Sequence, residues 1–135
     1  RARDLRLLEG IAVFATNESS GIDRPFKLNA VESEIIDSFR VKYSDIDINQ
    51  HVNTVHYLDW MVNIFTLEEH RRHTIHRVDM NFMNEVVYGD VISVHKEKEA
   101  ENDYRFEIRT GETTACRGRI VISPLNPPKG DFGVV

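Results

Sequence analysis

The sequence predicts an α+β domain in which a curved antiparallel sheet covers one very apolar helix. Three observations lead to this prediction. A strand-like segment comes first, a helical segment that is apolar around more than half of its circumference follows, and four runs with a two-residue alternation come after it. A helix of that kind has to be buried on several sides, and a strongly curved sheet can bury it.

Length and composition limit the classes of protein to consider. The 135 residues suffice for one domain with a real core, and 41% hydrophobic and 29% charged residues are ordinary for a globular chain. No apolar run reaches the roughly 18–20 residues of a membrane span. The net charge of −5 argues against nucleic-acid binding, which needs a basic face. The single cysteine, Cys116, fits a reducing cytoplasm, and we expect it to be a small core residue.

The first quarter of the chain has little regular patterning. Residues 10–16 form a short apolar run that fits a buried strand, and a turn cluster and a connector follow. Because the first residue is Arg1 and no secretory pattern follows it, we expect the chain to begin inside a longer polypeptide. The predicted divisions are residues 1–34 for the end of a preceding unit and a linker, 35–123 for the main domain, and 124–135 for a tail rich in Pro and Gly.

Regular patterning begins at Ile35. Residues 35–41 alternate as a half-buried strand, and residues 54–65 carry a helical apolar stripe with Asn53 as the N-cap. Val55 and Trp60 lie off that stripe, which widens the apolar surface of the helix. Four more strands are predicted, at 78–82, 90–98, 104–109 and 113–123. The edge strands of such a sheet predict pairing with a second copy or a second domain.

The loop from Tyr43 to Asn53 concentrates polar groups directly before the helix. Asp47, Asn49 and His51 alternate, so in extended backbone their side chains leave the same side, although a turn would separate them. The helix begins with amide groups that have no partner within it, which suit the oxyanion of an acyl-transfer reaction. Acids, a base and a helix N-terminus together are the parts needed to hydrolyse an acyl compound.

Two other interpretations of this loop stay open. Asp and Asn are common turn residues, so the loop can be plain capping structure. Asp45, Asp47 and Asn49 have the spacing of the first calcium ligands of an EF-hand, but Gln50 stands where that loop needs Gly, and His56 where it needs Glu. Calcium is therefore the weaker interpretation.

Three histidines at positions 70, 73 and 76 suggest a metal site, but arginines are interleaved with them and would repel a cation. A solvated basic surface is the simpler interpretation, and we expect neither a metal nor a cofactor. Glu85 is the remaining acid of interest, because it lies between a strand and an apolar segment. Strand alternation turns it away from the face of Val78 and Met80, unless a bulge near Asn84 reverses its direction.

The stretch from Val41 to Tyr57, VKYSDIDINQHVNTVHY, closely resembles the signature of acyl-acyl carrier protein (acyl-ACP) thioesterases of the bacterial and plant type. Those enzymes consist of two fused hotdog halves, and the signature belongs to the second half. Residues 88–90 (Tyr-Gly-Asp) and 116–118 (Cys-Arg-Gly) also look like that family's later strands, so the resemblance covers roughly residues 36–123. It implies a hotdog fold, with a curved antiparallel sheet wrapped around one long central helix, and a preceding half that ends within residues 1–34.

The resemblance also implies roles for individual residues. The family's catalytic Asp-x-Asn-x-His run and its following Glu match Asp47, Asn49, His51 and Glu85. The amides of Val52, Asn53 and Thr54 would hold the oxyanion, and Val55, Leu58 and Trp60 would line the acyl chain. Val86 stands where some members carry a cysteine, which argues against a cysteine nucleophile here.

The function expected from this resemblance is hydrolysis of fatty acyl-ACP thioesters to free fatty acids in cytoplasmic fatty acid biosynthesis, without a cofactor. The expected partners are the acyl carrier protein and a second hotdog unit, either a missing N-terminal half or another copy in a dimer. Two alternatives stay open: a hotdog thioesterase acting on coenzyme A esters, and a non-catalytic acyl-binding or assembly module. The basic stretch from His70 to Arg77 can be considered as a docking surface for the carrier protein, although a solvated surface is simpler.

Overall fold

The computed structural model describes residues 28–130 and, by their backbone, residues 12–17. The predictions for residues 1–11, 18–27 and 131–135 lie outside the described residues. Within the described ranges the strands are β1 (Ala12–Asn17), β2 (Ile35–Arg40), β3 (His73–Phe82), β4 (Val91–Ala100), β5 (Asp103–Thr110) and β6 (Thr113–Pro124). The helices are α1 (Thr54–Val62) and α2 (Leu67–Arg72), and a 3-10 turn spans Tyr43–Asp45. None of the described helices has the length and apolar character required to cross a bilayer.

The strands form one sheet in the order β1-β3-β6-β5-β4-β2. The five strands from β2 onward pair antiparallel, as the sequence predicts. The strand predicted near residues 10–16 is β1, and it joins the sheet parallel to β3. The sheet of the described residues is therefore mixed at one edge, where only antiparallel pairing was expected.

Helix α1 packs on the inner face of the sheet. The alternating apolar residues of β3 to β6 form this face, and all of the following are buried: Val78, Met80, Ile92, Val94, Phe106, Ile108, Cys116, Ile120. Gly118 of β6 lies directly under Met61 of α1, and a Cβ built on this glycine would stand 2.3 Å from the Met61 sulfur. The helix can approach the sheet this closely because position 118 has no side chain.

The prediction of one long central helix is wrong for the described residues. Helix α1 has nine residues and ends at Val62 with Asn63 as its C-cap, not at Phe65. The next amides, of Ile64 and Phe65, bond back to Met61 and Val62 in a tighter turn, and Thr66 then caps the separate helix α2. Phe65 is nevertheless buried. Trp60, which lies off the predicted stripe, is buried as well. The centroid of its ring lies 5.1 Å from that of Phe39.

Strand β2 forms as predicted, but its burial differs. It is an edge strand that pairs with β4, and its first residues, Ile35 and Ile36, are 57% and 52% exposed. A register shift between Ile35 and Asp37 interrupts the alternation that favoured burial of Ile35. At the other end Phe39 packs on Trp60, and Val41 is buried.

The connector before β2 lies across the outer face of the sheet. Leu28 and Val31 are each 1% exposed. Side chains of successive strands bind the backbone of this segment: Asn81 Oδ1 accepts from Leu28 N at 2.8 Å, Glu107 Oε1 from Val31 N at 2.9 Å, and His95 Nδ1 lies 3.0 Å from Ser33 O. We call residues 28–33 the strap. The sequence shows it only as a segment without a period, because its partners are polar side chains distributed over the four strands β3 to β6.

Candidate active site

The loop between β2 and α1 is closed by its own backbone. Asp47 N donates to His51 O at 2.9 Å, and Gln50 N donates to Asp47 O at 2.9 Å. Gln50 has a φ of 67°, the left-handed conformation that such a tight turn requires. The loop therefore contains the turn that the sequence left open, and the extended arrangement of Asp47, Asn49 and His51 is not formed.

The Asp47 side chain holds this turn together. Its Oδ1 accepts hydrogen bonds from Asn49 N at 2.9 Å and His51 N at 3.1 Å. Asp47 and Asn49 are both exposed. The carboxylate thus fixes the backbone that carries His51, and the Asn49 side chain projects from the loop.

Glu85 reaches the loop because the chain leaves the sheet irregularly after β3. The amides of Met83 and Asn84 both bond to Ala115 O, at 2.8 and 3.3 Å, so two residues occupy the space of one. This is the local irregularity near Asn84 that strand alternation alone does not reveal. The segment that follows is tied to the loop by the hydrogen bond from Val52 N to Val86 O, at 3.0 Å.

His51 and Glu85 form a direct contact. Nδ1 of His51 lies 2.5 Å from Oε1 of Glu85, and the two side chains are 43% and 71% exposed. With Glu85 ionised, Nδ1–H of His51 donates to the carboxylate, which leaves Nε2 and the second carboxylate oxygen for other partners. The contact joins two of the four residues that the sequence nominates as catalytic.

A cavity of about 210 Å³ lies next to this pair. Its walls come from the end of the loop, the first turn of α1 and the segment after β3: His51, Val52, Thr54, Tyr57, Phe82, Met83, Asn84, Glu85, Val86. Acidic, imidazole, hydroxyl and apolar groups meet here, as in a site that holds a small polar reacting group beside an apolar one.

The amides at the helix start are not equally available. Val52 N already donates to Val86 O, and Val55 N donates to the Asn53 side chain at 3.0 Å. Asn53 is thereby confirmed as the N-cap. In residues 28–130 no hydrogen-bond partner is found for the Thr54 amide, and Thr54 lines the cavity. Of the amides expected to hold an oxyanion, that of Val52 is used within the fold, whereas that of Thr54, on the cavity wall, is available.

The residues expected to line the acyl chain lie on α1, but they do not line this cavity. Leu58 and Trp60 are 2% and 8% exposed and belong to the core, and Val55 is half-buried. The cavity wall contains Tyr57 instead, which sequence reasoning assigned only to the apolar stripe. The available signal was its spacing of three residues from Thr54, which places both on one helical face.

Three further sequence interpretations can be compared with the structure. Cys116 is buried, as expected, and burial raises the pKa of its thiol well above the usual range, which is unfavourable for a nucleophile. Arg71 and Arg72 both pair with Glu68, at 2.8 and 2.5 Å, so their charge is partly neutralised. Among the described residues no group of three His, Cys, Asp or Glu side chains is arranged to hold a metal ion.

Three solved thioesterase structures are similar to this chain. An acyl-ACP thioesterase from Bacteroides thetaiotaomicron is 28% identical, with a TM-score of 0.66 over 74% of this chain and 43% of that one. A putative oleoyl thioesterase from Lactobacillus plantarum is also 28% identical, with a TM-score of 0.62 over 77% of this chain and 43% of that one. The 12:0-ACP thioesterase from Umbellularia californica shares the fold at 20% identity, with a TM-score of 0.65 over 80% of this chain and 42% of that one. The chain thus spans less than half the length of these proteins.

The five antiparallel strands and the helix on their inner face define a hotdog-like fold of the thioesterase class. The model of the acyl-ACP thioesterase C-terminal domain matches residues 28–122. Because this match covers more than half of the chain, the chain belongs to the acyl-ACP thioesterase family, as a counterpart of its C-terminal hotdog half. A search among curated proteins found no match.

Proposed function

We propose that this chain is the catalytic hotdog half of a thioesterase that hydrolyses fatty acyl-ACP to free fatty acid, in fatty acid biosynthesis in the cytoplasm. The observation that supports it best is the contact of 2.5 Å between His51 Nδ1 and Glu85 Oε1 beside a cavity that also receives the start of α1. Membership of the acyl-ACP thioesterase family supports a thioester as the substrate.

In the proposed mechanism Glu85 is the general base. Its free carboxylate oxygen takes a proton from a water molecule, whose oxygen adds to the thioester carbonyl carbon. The electron pair of the C=O bond moves to the carbonyl oxygen, which the Thr54 amide stabilises at the positive end of α1. When the oxyanion collapses, the C–S bond breaks, and the thiolate leaves with the proton that Glu85 holds.

The loop residues position this base. His51 donates its Nδ1 proton to Glu85 and so fixes the orientation of the carboxylate. Asp47 acts one step further away, because it holds the amide of His51. Asn49, exposed two residues before His51, is proposed as a contact for the thioester or the water.

The acyl chain is proposed to run along α1. Val55 is half-buried and can contribute to a wall directly, whereas Leu58 and Trp60 support that wall from the core. A second hotdog unit is proposed to close the site from outside. Exposed apolar side chains around the loop support this pairing, with Tyr43 82% and Ile48 95% exposed.

The test uses the full chain and fatty acyl-ACP, with release of free thiol as the measurement. Glu85→Gln is expected to lower kcat by about 100- to 10,000-fold, the range for loss of a general base. Glu112→Gln, which removes an exposed carboxylate in the β5–β6 turn, is the matched control and is expected to keep normal turnover. Near-normal turnover of Glu85→Gln with an unchanged circular dichroism spectrum would contradict the assignment.

The carrier is tested by comparing kcat/KM for acyl-ACP and acyl-coenzyme A with the same acyl group. A clear preference for the carrier protein is expected. A preference for coenzyme A would favour the coenzyme A thioesterase alternative, and binding of acyl-ACP without turnover would favour the non-catalytic module.

A further inference from the structure

The cavity beside Glu85 contains a phenol that has no place in the mechanism above. Tyr57 lies three residues after Thr54 on α1, is 4% exposed, and lines the same cavity as His51, Thr54 and Glu85. Its ring makes edge-to-face contacts with the rings of Trp60 and Phe82, at distances between ring centroids of 5.4 Å and 5.3 Å. These contacts hold the ring in one place, so the position of its hydroxyl group is also fixed.

Several amides at the helix start are already engaged in hydrogen bonds within the fold. The amides of Val52 and Val55 are used within the fold, and the amide of His56 donates to Asn53 O at 3.0 Å. The Thr54 amide, by contrast, has no hydrogen-bond partner among residues 28–130 and lies on the cavity wall. Oxyanion sites of acyl-transfer enzymes combine several donors, and removal of one costs a large factor in rate.

The surroundings keep the Tyr57 hydroxyl protonated. Burial is the main cause that raises its pKa far above the usual value of a tyrosine, and the negative charge of Glu85 acts in the same direction. A hydrogen bond with the backbone of Val86 opposes them without cancelling them. A phenol in this state is a neutral hydrogen-bond donor at neutral pH.

We propose that Tyr57 is a catalytic residue whose hydroxyl donates to the thioester carbonyl oxygen, together with the Thr54 amide. This inference rests on the proposed function and adds the second donor to it. As water adds to the carbonyl carbon, the electron pair of the C=O bond moves to an oxygen held by Tyr57 and Thr54, and Glu85 takes the proton of the water. The hydroxyl returns no proton to the product, since it stabilises charge and is not consumed.

The test is Tyr57→Phe in the full chain, with acyl-ACP as the substrate. Because the ring and its contacts remain, the variant is expected to fold normally and to bind the acyl group as before. We expect kcat to fall about 100-fold, the loss typical of one oxyanion donor, with KM within about threefold of the parent. Tyr104→Phe removes a hydroxyl from a ring that packs on Phe65, away from the cavity, and is expected to keep the parental kcat.

A second measurement separates catalysis from packing. An analogue in which an S-alkyl thioether replaces the thioester has no carbonyl oxygen, so it is expected to bind the parent and Tyr57→Phe equally. Equal loss of analogue binding and of kcat would overturn the inference, because it would show a structural effect. A kcat of Tyr57→Phe within threefold of the parent would also overturn it, while inactivity of Glu85→Gln in the same assay would leave the proposed function standing. Turnover by Glu85→Gln would overturn both.

Discussion

Nδ1 of His51 lies 2.5 Å from Oε1 of Glu85, and backbone contacts hold the two residues in this position. The hydrogen bond from Val52 N to Val86 O joins the residues that follow each of them. An antiparallel bridge between His51 and Val87 joins the same two segments. Contacts of the fold itself therefore hold the pair together, which in the proposed reaction would reduce the reorganisation needed.

His51→Ala is expected to lower kcat about 100-fold, since Glu85 loses the donor that orients it. Because the two side chains act as one unit, combining His51→Ala with Glu85→Gln is expected to give a loss no larger than that of Glu85→Gln alone. Steady-state kinetics of the two single variants and the double variant measure this coupling. Losses that multiply would show that the residues act independently.

Asp47→Asn and Asp47→Ala are expected to differ strongly. Asn keeps an oxygen that can accept from Asn49 N and His51 N, so turnover is expected within about fivefold of the parent. Ala removes both bonds and releases the backbone of His51, and a loss of about 10- to 100-fold is expected from the misplaced pair. Equal, large losses in both variants would instead indicate that the charge of Asp47 is needed for the reaction.

Glu107→Gln is expected to destabilise the fold and to change its response to acid. Burial alone would raise the pKa of Glu107, but hydrogen bonds from Val31 N, Arg109 and Thr114 outweigh it and hold the pKa below its usual range. The stabilisation is therefore present above the unfolded pKa of about 4.3 and is lost as the pH falls through the lower folded pKa. At pH 7 the variant is expected to lose about 3 kcal/mol of unfolding free energy, as when one partner of a buried ion pair is removed.

Urea unfolding between pH 7 and pH 3 measures this effect, and the difference between Glu107→Gln and the parent is expected to shrink as the pH falls below 4.3. Glu101→Gln is the control, since the Glu101 side chain is 82% exposed and pairs only with Lys98 among the described residues. A difference that stays constant down to pH 3 would contradict the role assigned to the ionised carboxylate.

Gly118→Ala is expected to cost about 1–3 kcal/mol of stability, because the added methyl group would meet the Met61 sulfur. The same change in a Met61→Ala background is expected to cost less, since the cavity left by the shortened side chain at position 61 can accept the methyl group. Gly130→Ala is the matched control, because a Cβ at position 130 meets nothing within 4 Å. Thermal unfolding of the parent, the two single variants at positions 118 and 61, and the double variant measures the coupling between these positions. Strictly additive losses of stability would show that Gly118→Ala does not conflict with Met61.

Much of the fold is readable from local pattern. Val78 and Met80, like Phe106 and Ile108, are two residues apart, and all four are buried on the inner face of the sheet. Their spacing indicates this face, because successive strand residues point to opposite sides. Asn53 marks the start of α1 for an equally local reason, since its side chain caps an amide two residues further on. The apolar stripe predicts too long a helix, because Phe65 continues the stripe although α1 has already ended at Val62.

Local sequence pattern thus predicts the antiparallel strands β2 to β6 and the apolar helix, and it nominates Asp47, Asn49 and His51, while family resemblance adds Glu85. Which of these groups meet depends on contacts between distant parts of the chain. The turn at Gln50 directs Asp47 toward backbone amides, and the two amides that share Ala115 O turn Glu85 toward His51. A one-residue irregularity reverses the direction of a side chain, and contacts with residues far away in the chain determine where it occurs.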